Sequence, residues 1–480
     1  MTSPSTCTLC KNITMTAHWP PLAELATQVR SGQVSSRELV ADALTRIERV
    51  DPMLHAWVAV DSQRALADAA KIDEAVASGN DPGLLAGIPL GVKDLEAAIG
   101  FVTTNGSQLH RDDPPATTDS VLVARLRAAG CVVLGKLNTP EFGFSADTTN
   151  AVVGSTHNPW GSGRSPGGSS GGSASALASG MIPVATGGDS GGSIRIPAAL
   201  CGLPGFKPSN GRVPVGGPTP PGSGWLGVRS VMATTVADTV HALRAVVGHD
   251  ATDLIGLPTP PAGWLDGLGP QLPTRVIWSP APGWPVDDEV ATVCAAAITR
   301  VAGAGVDVIE VDRFVSGVPL LDYFNAATVF QQRLHGGRRG TPEWDLLDPG
   351  IRSQVEHAGR HVTAAGFAMA LDAAHLHNFE LETLFRSAPV LLCPTVAGQT
   401  GNCASLGTVN GEETIFWAPF TQLFNLTKHP AGSMPCGFTP DGMPVGMQMI
   451  GSQHDDLTVL QTMMAFEQMF ANERRPQTSA

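Results

Sequence analysis

The segment 166–214 reads PGGSSGGSASALASGMIPVATGGDSGGSIRIPAALCGLPGFKPSNGRVP, and it constrains the chain more than any other stretch. By composition alone GGSSGGS would pass for a flexible linker. Its continuation excludes that. Residues 174–178 read as a helix of small side chains, 182–186 as a strand, and a second glycine and serine turn, 187–193, runs straight into Ile-Arg-Ile-Pro and another helix. Two glycine turns around a helix and a strand belong to a folded layer. A turn this rich in glycine lets successive backbone N–H groups converge on one concavity, because glycine tolerates the φ values and close approach required. Such a concavity holds an anion, and a nucleophile at its end would deliver a developing oxyanion to it. In Ser190-Gly191-Gly192-Ser193 that nucleophile would be Ser193.

The rest of the chain alternates in the same way. Leu22, Leu25, Val29, Val34, Leu39, Leu44 and Ile47 are spaced for helices, and Ser35 with Glu38 forms a capping box that opens the second of them. Residues 87–93 (GIPLGVK) form a short apolar run, 119–129 an amphipathic helix and 131–135 a strand. Residues 275–279, 287–304 and 306–311 read as strand, helix and strand, a βαβ unit. The expected fold class is therefore α/β, a layered sheet with helices on its faces. Segments 213–227 and 254–273 are dense in proline and glycine, yet both contain tryptophan, so they are expected to be ordered loops packed on the body.

Charge narrows the function. The 30 Lys and Arg against 43 Asp and Glu leave a net charge of -13, with no basic cluster beyond Arg338 and Arg339. A sequence-independent nucleic-acid binder needs such a cluster, so nucleic acid is not an expected partner. The longest apolar runs, 364–371 and 389–393, fall far short of the ~18 residues of a membrane span. No signal-like stretch opens the chain, and the expected location is cytoplasmic. Residues 1–15 are expected to be a disordered or non-native tail ahead of one domain at 16–475; Cys7 and Cys10 in it form a CxxC with no second pair. The absence of HExxH or of a compact His and Asp set argues for no metal, and no cofactor is expected.

A serine nucleophile needs a base, usually histidine. No histidine lies in the segment, and the 13 in the chain stand mostly in polar contexts that read as surface. Gly168-Ser169-Ser170-Gly171-Gly172 imitates a nucleophile elbow, but that elbow follows a strand and residues 158–165 read as a loop. Lys93, one of six lysines, ends an apolar run and, taken singly, reads as an ordinary strand-end lysine.

Segment 166–214 closely resembles the defining segment of the amidase signature family, including two serines 24 positions apart, Ser169 and Ser193. Gly91-Val92-Lys93-Asp94, residues 135–142, residues 227–238 and residues 425–451 are similar to further stretches of that family. The resemblance implies a single domain built on a large twisted mixed sheet covered by helices. It implies Lys93 as base, Ser169 as a bridging serine behind a cis peptide bond, and Ser193 as the acylated serine. The backbone N–H groups of Ser190, Gly191, Gly192 and Ser193 would form the oxyanion hole. Asp189 and Arg195 flank the turn and read as an ion pair that braces it; Ser170 and Ser173 read as hydroxyls at a helix N-terminus.

This chain departs from the family at three places. Gly188 stands where a threonine is common, Lys428 where a glycine is frequent, and Gly143 where some members carry a larger substrate-facing residue. Gly143, with Ser169, is a substrate-binding candidate, and a smaller Gly143 and Ser190 suggest a roomier acyl pocket. The implied activity is hydrolysis of a carboxylic amide C–N bond in a small molecule, with esters and carbamates as secondary substrates. A glutamine-hydrolysing subunit of a transamidation complex is the alternative, and a homodimer is left open.

Overall fold

Strands that alternate with helices bury their apolar faces by stacking into layers. The structure, a computed structural model, describes residues 19–471 and 476, so the expected tail with Cys7 and Cys10 lies outside the described residues. Eleven of its strands form two mixed sheets. The first contains β1 (Trp57–Val60), β2 (Pro89–Lys93), β3 (Val132–Leu137), β4 (Val184–Asp189) and β6 (Val228–Ala233), in the order β1-β3-β2-β4-β6. Its β3, β2 and β4 run parallel, while β1 and β6 close the edges antiparallel. The second has the order β8-β7-β9-β11-β10-β5, from β5 (Gly205–Lys207), β7 (Arg275–Trp278), β8 (Asp307–Glu310), β9 (Val390–Pro394), β10 (Ala431–Phe438) and β11 (Pro444–Gly451). The expected mixed sheet is thus present in two hydrogen-bonded parts, which adjoin where β5 lies against β6. One apolar cluster joins them, with Val92, Val133 and Val184 from the first sheet and Val276, Leu392 and Met447 from the second.

The helices follow their sequence signals closely. Ser35 and Glu38 make the capping box at the start of the helix Ser36–Leu54, and the βαβ unit forms around the helix Asp288–Gly303. Two elements of the central segment start elsewhere than expected. The helix α1 (Gly171–Ala178) begins three residues before Ala174, because packing overrides the low helix propensity of its glycines. Strand β4 continues through Gly187 and Gly188 to Asp189, since β6 offers ladder partners in Ser230, Arg229 and Val228. Only Ser190–Ser193 remain as the turn before α2 (Arg195–Cys201). Both proline-rich segments are ordered: Trp264 packs against the main cluster and Trp225 against Leu226 and Ala326. No helix among the described residues is long and apolar enough to cross a membrane.

Candidate active site

Parallel strands deliver their carboxyl ends to one edge of a sheet, and the residues there face a common crevice. Lys93 is the last residue of β2 and Asp189 the last of β4, so both emerge at the same edge. The Lys93 backbone N–H donates to Thr186 Oγ1 at 2.8 Å, which fixes the strand end. Its Nζ lies 2.7 Å from Ser169 Oγ, 2.9 Å from Ser170 Oγ and 3.5 Å from the Gly188 carbonyl oxygen. The side chain is buried, and no carboxylate among the described residues touches it. Burial, helped by the Arg229 guanidinium, lowers the amine to about 7 against the opposing pull of Glu96 and Asp189.

Ser169 precedes α1 and follows a cis peptide bond at Gly168. It is 2% exposed, whereas Ser193 is half-buried and open to the crevice. The Ser170 N–H donates to the Ser193 carbonyl oxygen at 3.1 Å, holding the two serine turns side by side. Ser170 therefore differs from the expectation for it: its hydroxyl makes no cap bond and instead meets Lys93 and the Gly188 carbonyl. Ser173 likewise reaches inward, to the Thr186 carbonyl at 2.9 Å. Helix-start chemistry suggested capping, but β2 and β4 pack so closely on α1 that these hydroxyls find strand-end partners first.

A buried ion pair stands beside the turn at Ser190–Ser193. Arg195 donates from Nε to Asp189 Oδ2 and from Nη2 to Asp189 Oδ1, each at 2.9 Å, and neither side chain is accessible to water. Burial pushes the Asp189 carboxyl up, but Arg195, Lys207 and Asn425 together outweigh it and hold the group below the usual carboxylate range. Arg195 also donates to the Thr421 carbonyl, Gln448 Oε1 and Asn425 Oδ1, so its charge is fully engaged. Asp189 Oδ1 accepts the Gly192 N–H at 2.7 Å. That N–H belongs to the brace, and Gly192 takes φ +123° to present it. The N–H groups of Ser190, Gly191 and Ser193 make no hydrogen bond among the described residues. Of the four donors expected in the oxyanion hole, three are left free.

The departures from the family pattern acquire physical content. Gly143 has φ +70°, and a Cβ there would stand 3.1 Å from Ser169 Oγ, so glycine leaves room beside that hydroxyl. At Gly188 the space is shared: a Cβ would meet Arg229 Nη1 at 3.2 Å, and Arg229 also pairs with Glu96. Lys428 holds φ +68°, the left-handed backbone that suits glycine. Its Nζ lies 5.8 Å from the centre of the Trp225 ring. Ser190 Oγ donates to Ser223 Oγ at 2.8 Å. A polar cleft of about 610 Å³, lined by Arg164, Asp287 and Gln399 among others, contains none of Lys93, Ser169 and Ser193.

Sequence reasoning missed Thr186, which holds the end of β2 from within β4, and Thr421, Asn425 and Gln448, which support the turn from a loop, a short helix and β11 more than 200 residues away and carry no local signal. It also placed histidines at the surface, where His335, His377 and His429 are buried.

A family profile named Amidase matches residues 38–460. The chain belongs to the amidase family. Amidases are hydrolases acting on C–N bonds, and this amidase is 35% identical to a glutamyl-tRNA(Gln) amidotransferase subunit of Cyanothece sp. over 95% of its own length and 99% of that protein. It is 33% identical to an acylamidase of Rhodococcus erythropolis, covering 94% of this chain and 95% of the other. Among solved structures it is similar to a bacterial aryl acylamidase of the amidase signature enzymes, with TM-score 0.86, 28% identity and coverage of 94% and 96%. A 6-aminohexanoate cyclic dimer hydrolase complexed with substrate matches with TM-score 0.84 and 29% identity, over 96% of this amidase and 99% of that chain.

Proposed function

We propose that this amidase hydrolyses a carboxylic amide C–N bond of a small molecule through a Ser193 acyl-enzyme, with Lys93 as base and Ser169 as proton relay. The observation that carries the reading is the position of Lys93 Nζ, buried without a carboxylate and 2.7 Å from Ser169 Oγ. A lysine so placed has a neutral form available near neutral pH. It takes the Ser169 hydroxyl proton as Ser169 takes that of Ser193, and Ser193 Oγ bonds to the carbonyl carbon. The carbonyl oxygen becomes an oxyanion received by the N–H groups of Ser190, Gly191 and Ser193. When the C–N bond breaks, the amine leaves with a proton from Ser169, which Lys93 restores. Water then attacks the acyl group by the same relay, freeing the acid and Ser193. Ser170, the second partner of Lys93, orients its amine. The substrate reaches Ser193 past Gly143, and esters and carbamates present a similar carbonyl. A single domain over 16–475 and a cytoplasmic location belong to this reading.

The glutamine-hydrolysing subunit is the second reading, favoured by the full-length similarity to an amidotransferase component. Incubating the purified chain alone with short aliphatic amides and anilides separates the two. Turnover without partners supports the first reading, and turnover only in the presence of transamidation partners supports the second. Ser193→Ala should fold normally and lose both turnover and the acyl mass adduct; an adduct that persists would move the nucleophile elsewhere.

A further inference from the structure

The helix α3 (Pro319–His335) bridges the two catalytic segments. Near its start Tyr323 stands over the nucleophile turn, where a Cβ on Gly191 would collide with the Tyr323 hydroxyl. At its end the His335 ring lies 4.4 Å from the Phe142 ring, and Phe142 adjoins Gly143, the residue that abuts Ser169. Positions 323, 327, 331 and 335 follow at four-residue steps and form one row along the helix. One end of that row is at Gly191, two residues before Ser193, and the other reaches Phe142, the neighbour of the Gly143 that abuts Ser169.

The far end of the row holds polar groups with nothing to bond. His335 is 2% exposed, and neither ring nitrogen has a hydrogen-bond partner among the described residues. Gln331 Oε1, one turn earlier, is buried and also unpartnered. Leaving such groups unpaired costs about 1–3 kcal/mol each, and folded proteins tolerate few of them. Burial, with Arg338 and His110 nearby, lowers His335 to about 4, so its ring is neutral and offers one donor and one acceptor. Gln331 adds an acceptor beside it. No carboxylate among the described residues pairs with His335, and the Glu141 carboxylate, the acidic group nearest in sequence to Phe142, is occupied by Ser107 and the Asp348 N–H. The complement of this set is uncharged and carries both N–H donors and a carbonyl acceptor. Phe142, half-buried with φ +49°, packs on the His335 ring and adjoins Gly143, which abuts Ser169.

We propose that Gln331 and His335 form a substrate-recognition subsite, screened by Phe142, that binds a neutral primary carboxamide carried on the substrate away from the scissile bond. The subsite rests on the Ser193 reading for its orientation, and its test separates the two. Calorimetric titration of Ser193→Ala protein with two anilides, one whose acyl chain ends in a primary carboxamide and one ending in an isopropyl group, reads binding without turnover. The carboxamide ligand binds at least tenfold more tightly. In the Ser193→Ala background, Gln331→Leu and His335→Leu each reduce that preference to threefold or less, while the isopropyl ligand stays within twofold. If His335→Leu fails to fold, Gln331→Leu on the half-buried neighbour decides alone. Equal affinity for the two ligands, or a preference that survives the substitutions, would overturn the subsite and leave the buried polar groups to ordered water only. Wild-type turnover of the isopropyl anilide reports on the Ser193 reading independently, so a lost preference with retained turnover condemns the subsite, and a retained preference with no turnover of either anilide condemns the mechanism.

Discussion

Lys93 and Lys136 sit on paired strands, β2 and β3, where Lys136 is in register with Val92, and neither is more than 1% exposed. Lys136 Nζ is 2.8 Å from the Asp94 carboxylate, itself inaccessible to water, and donates to Thr103 Oγ1 at 2.9 Å. Lys93 Nζ meets two hydroxyls and a carbonyl. Burial lowers both amines, but at Lys136 the contact with Asp94 works directly against it, while at Lys93 the neighbouring Arg229 adds to it. Burial alone therefore does not make a base. What distinguishes Lys93 is the absence of a paired carboxylate, with serine hydroxyls in its place that can pass a proton on.

Substitution of each lysine by methionine breaks the comparison at its strongest point. Lys93→Met should keep the fold and lose about 10²- to 10⁴-fold in kcat/KM on an anilide, the usual contribution of a general base. Its stability should equal or exceed that of the wild type below pH 7, because the depressed amine makes folding bind fewer protons than the unfolded chain. Wild-type stability correspondingly rises as pH increases above about 7, and the variant lacks that rise. Denaturant melts at several pH values check both statements.

Lys136→Met should act the other way. It strands the Asp94 carboxylate in the interior, at a cost of about 3–5 kcal/mol, and any activity that survives should keep the wild-type pH profile. A variant as stable as the wild type would show that Asp94 needs no cation.

These contrasts were only partly legible in the sequence. The alternation of strands and helices, the capping box at Ser35 and Glu38, and the ordering of the tryptophan-bearing loops all follow from local pattern, which adjacent residues carry. The roles proposed for Lys93, Ser169 and Ser193 come from a long contiguous segment and a resemblance; the 2.7 Å approach of Lys93 Nζ to Ser169 Oγ is visible only in three dimensions. The engagement of Gly192 N–H by Asp189 and of Ser170 Oγ by Lys93 could not be read locally, because each depends on which strand ends meet. The division of the sheet into two parts is a matter of pairing across hundreds of residues, as is the use of Thr421 and Asn425 to support the turn.

A smaller effect is expected where the Lys93 site is crowded without being discharged. Gly143→Ala places a Cβ 3.1 Å from Ser169 Oγ at φ +70°, a backbone that costs an alanine about 1–2 kcal/mol. Stability should fall by that amount and kcat/KM several-fold, with the pH dependence unchanged. A shifted profile would mean that Gly143 tunes Lys93 rather than the space beside Ser169.

The smallest effect belongs to Lys428, the one lysine with a left-handed backbone among the described residues. Lys428→Gly relieves φ +68° but gives up the approach to Trp225, so a gain of at most about 1 kcal/mol in stability is expected by denaturant melting, with activity unchanged. Loss of activity would assign Lys428 a part in the site.

The central claim, that an unpaired buried lysine is the base, is tested most directly by the pH dependence of kcat/KM on one anilide, measured side by side for the wild type and Lys93→Met. The account predicts a wild-type rise centred near pH 7, a plateau on the alkaline side, and a residual rate in the variant that no longer follows that rise. The same rise in both proteins, or a wild-type rise centred near the ordinary lysine pKa of about 10.4, would contradict it.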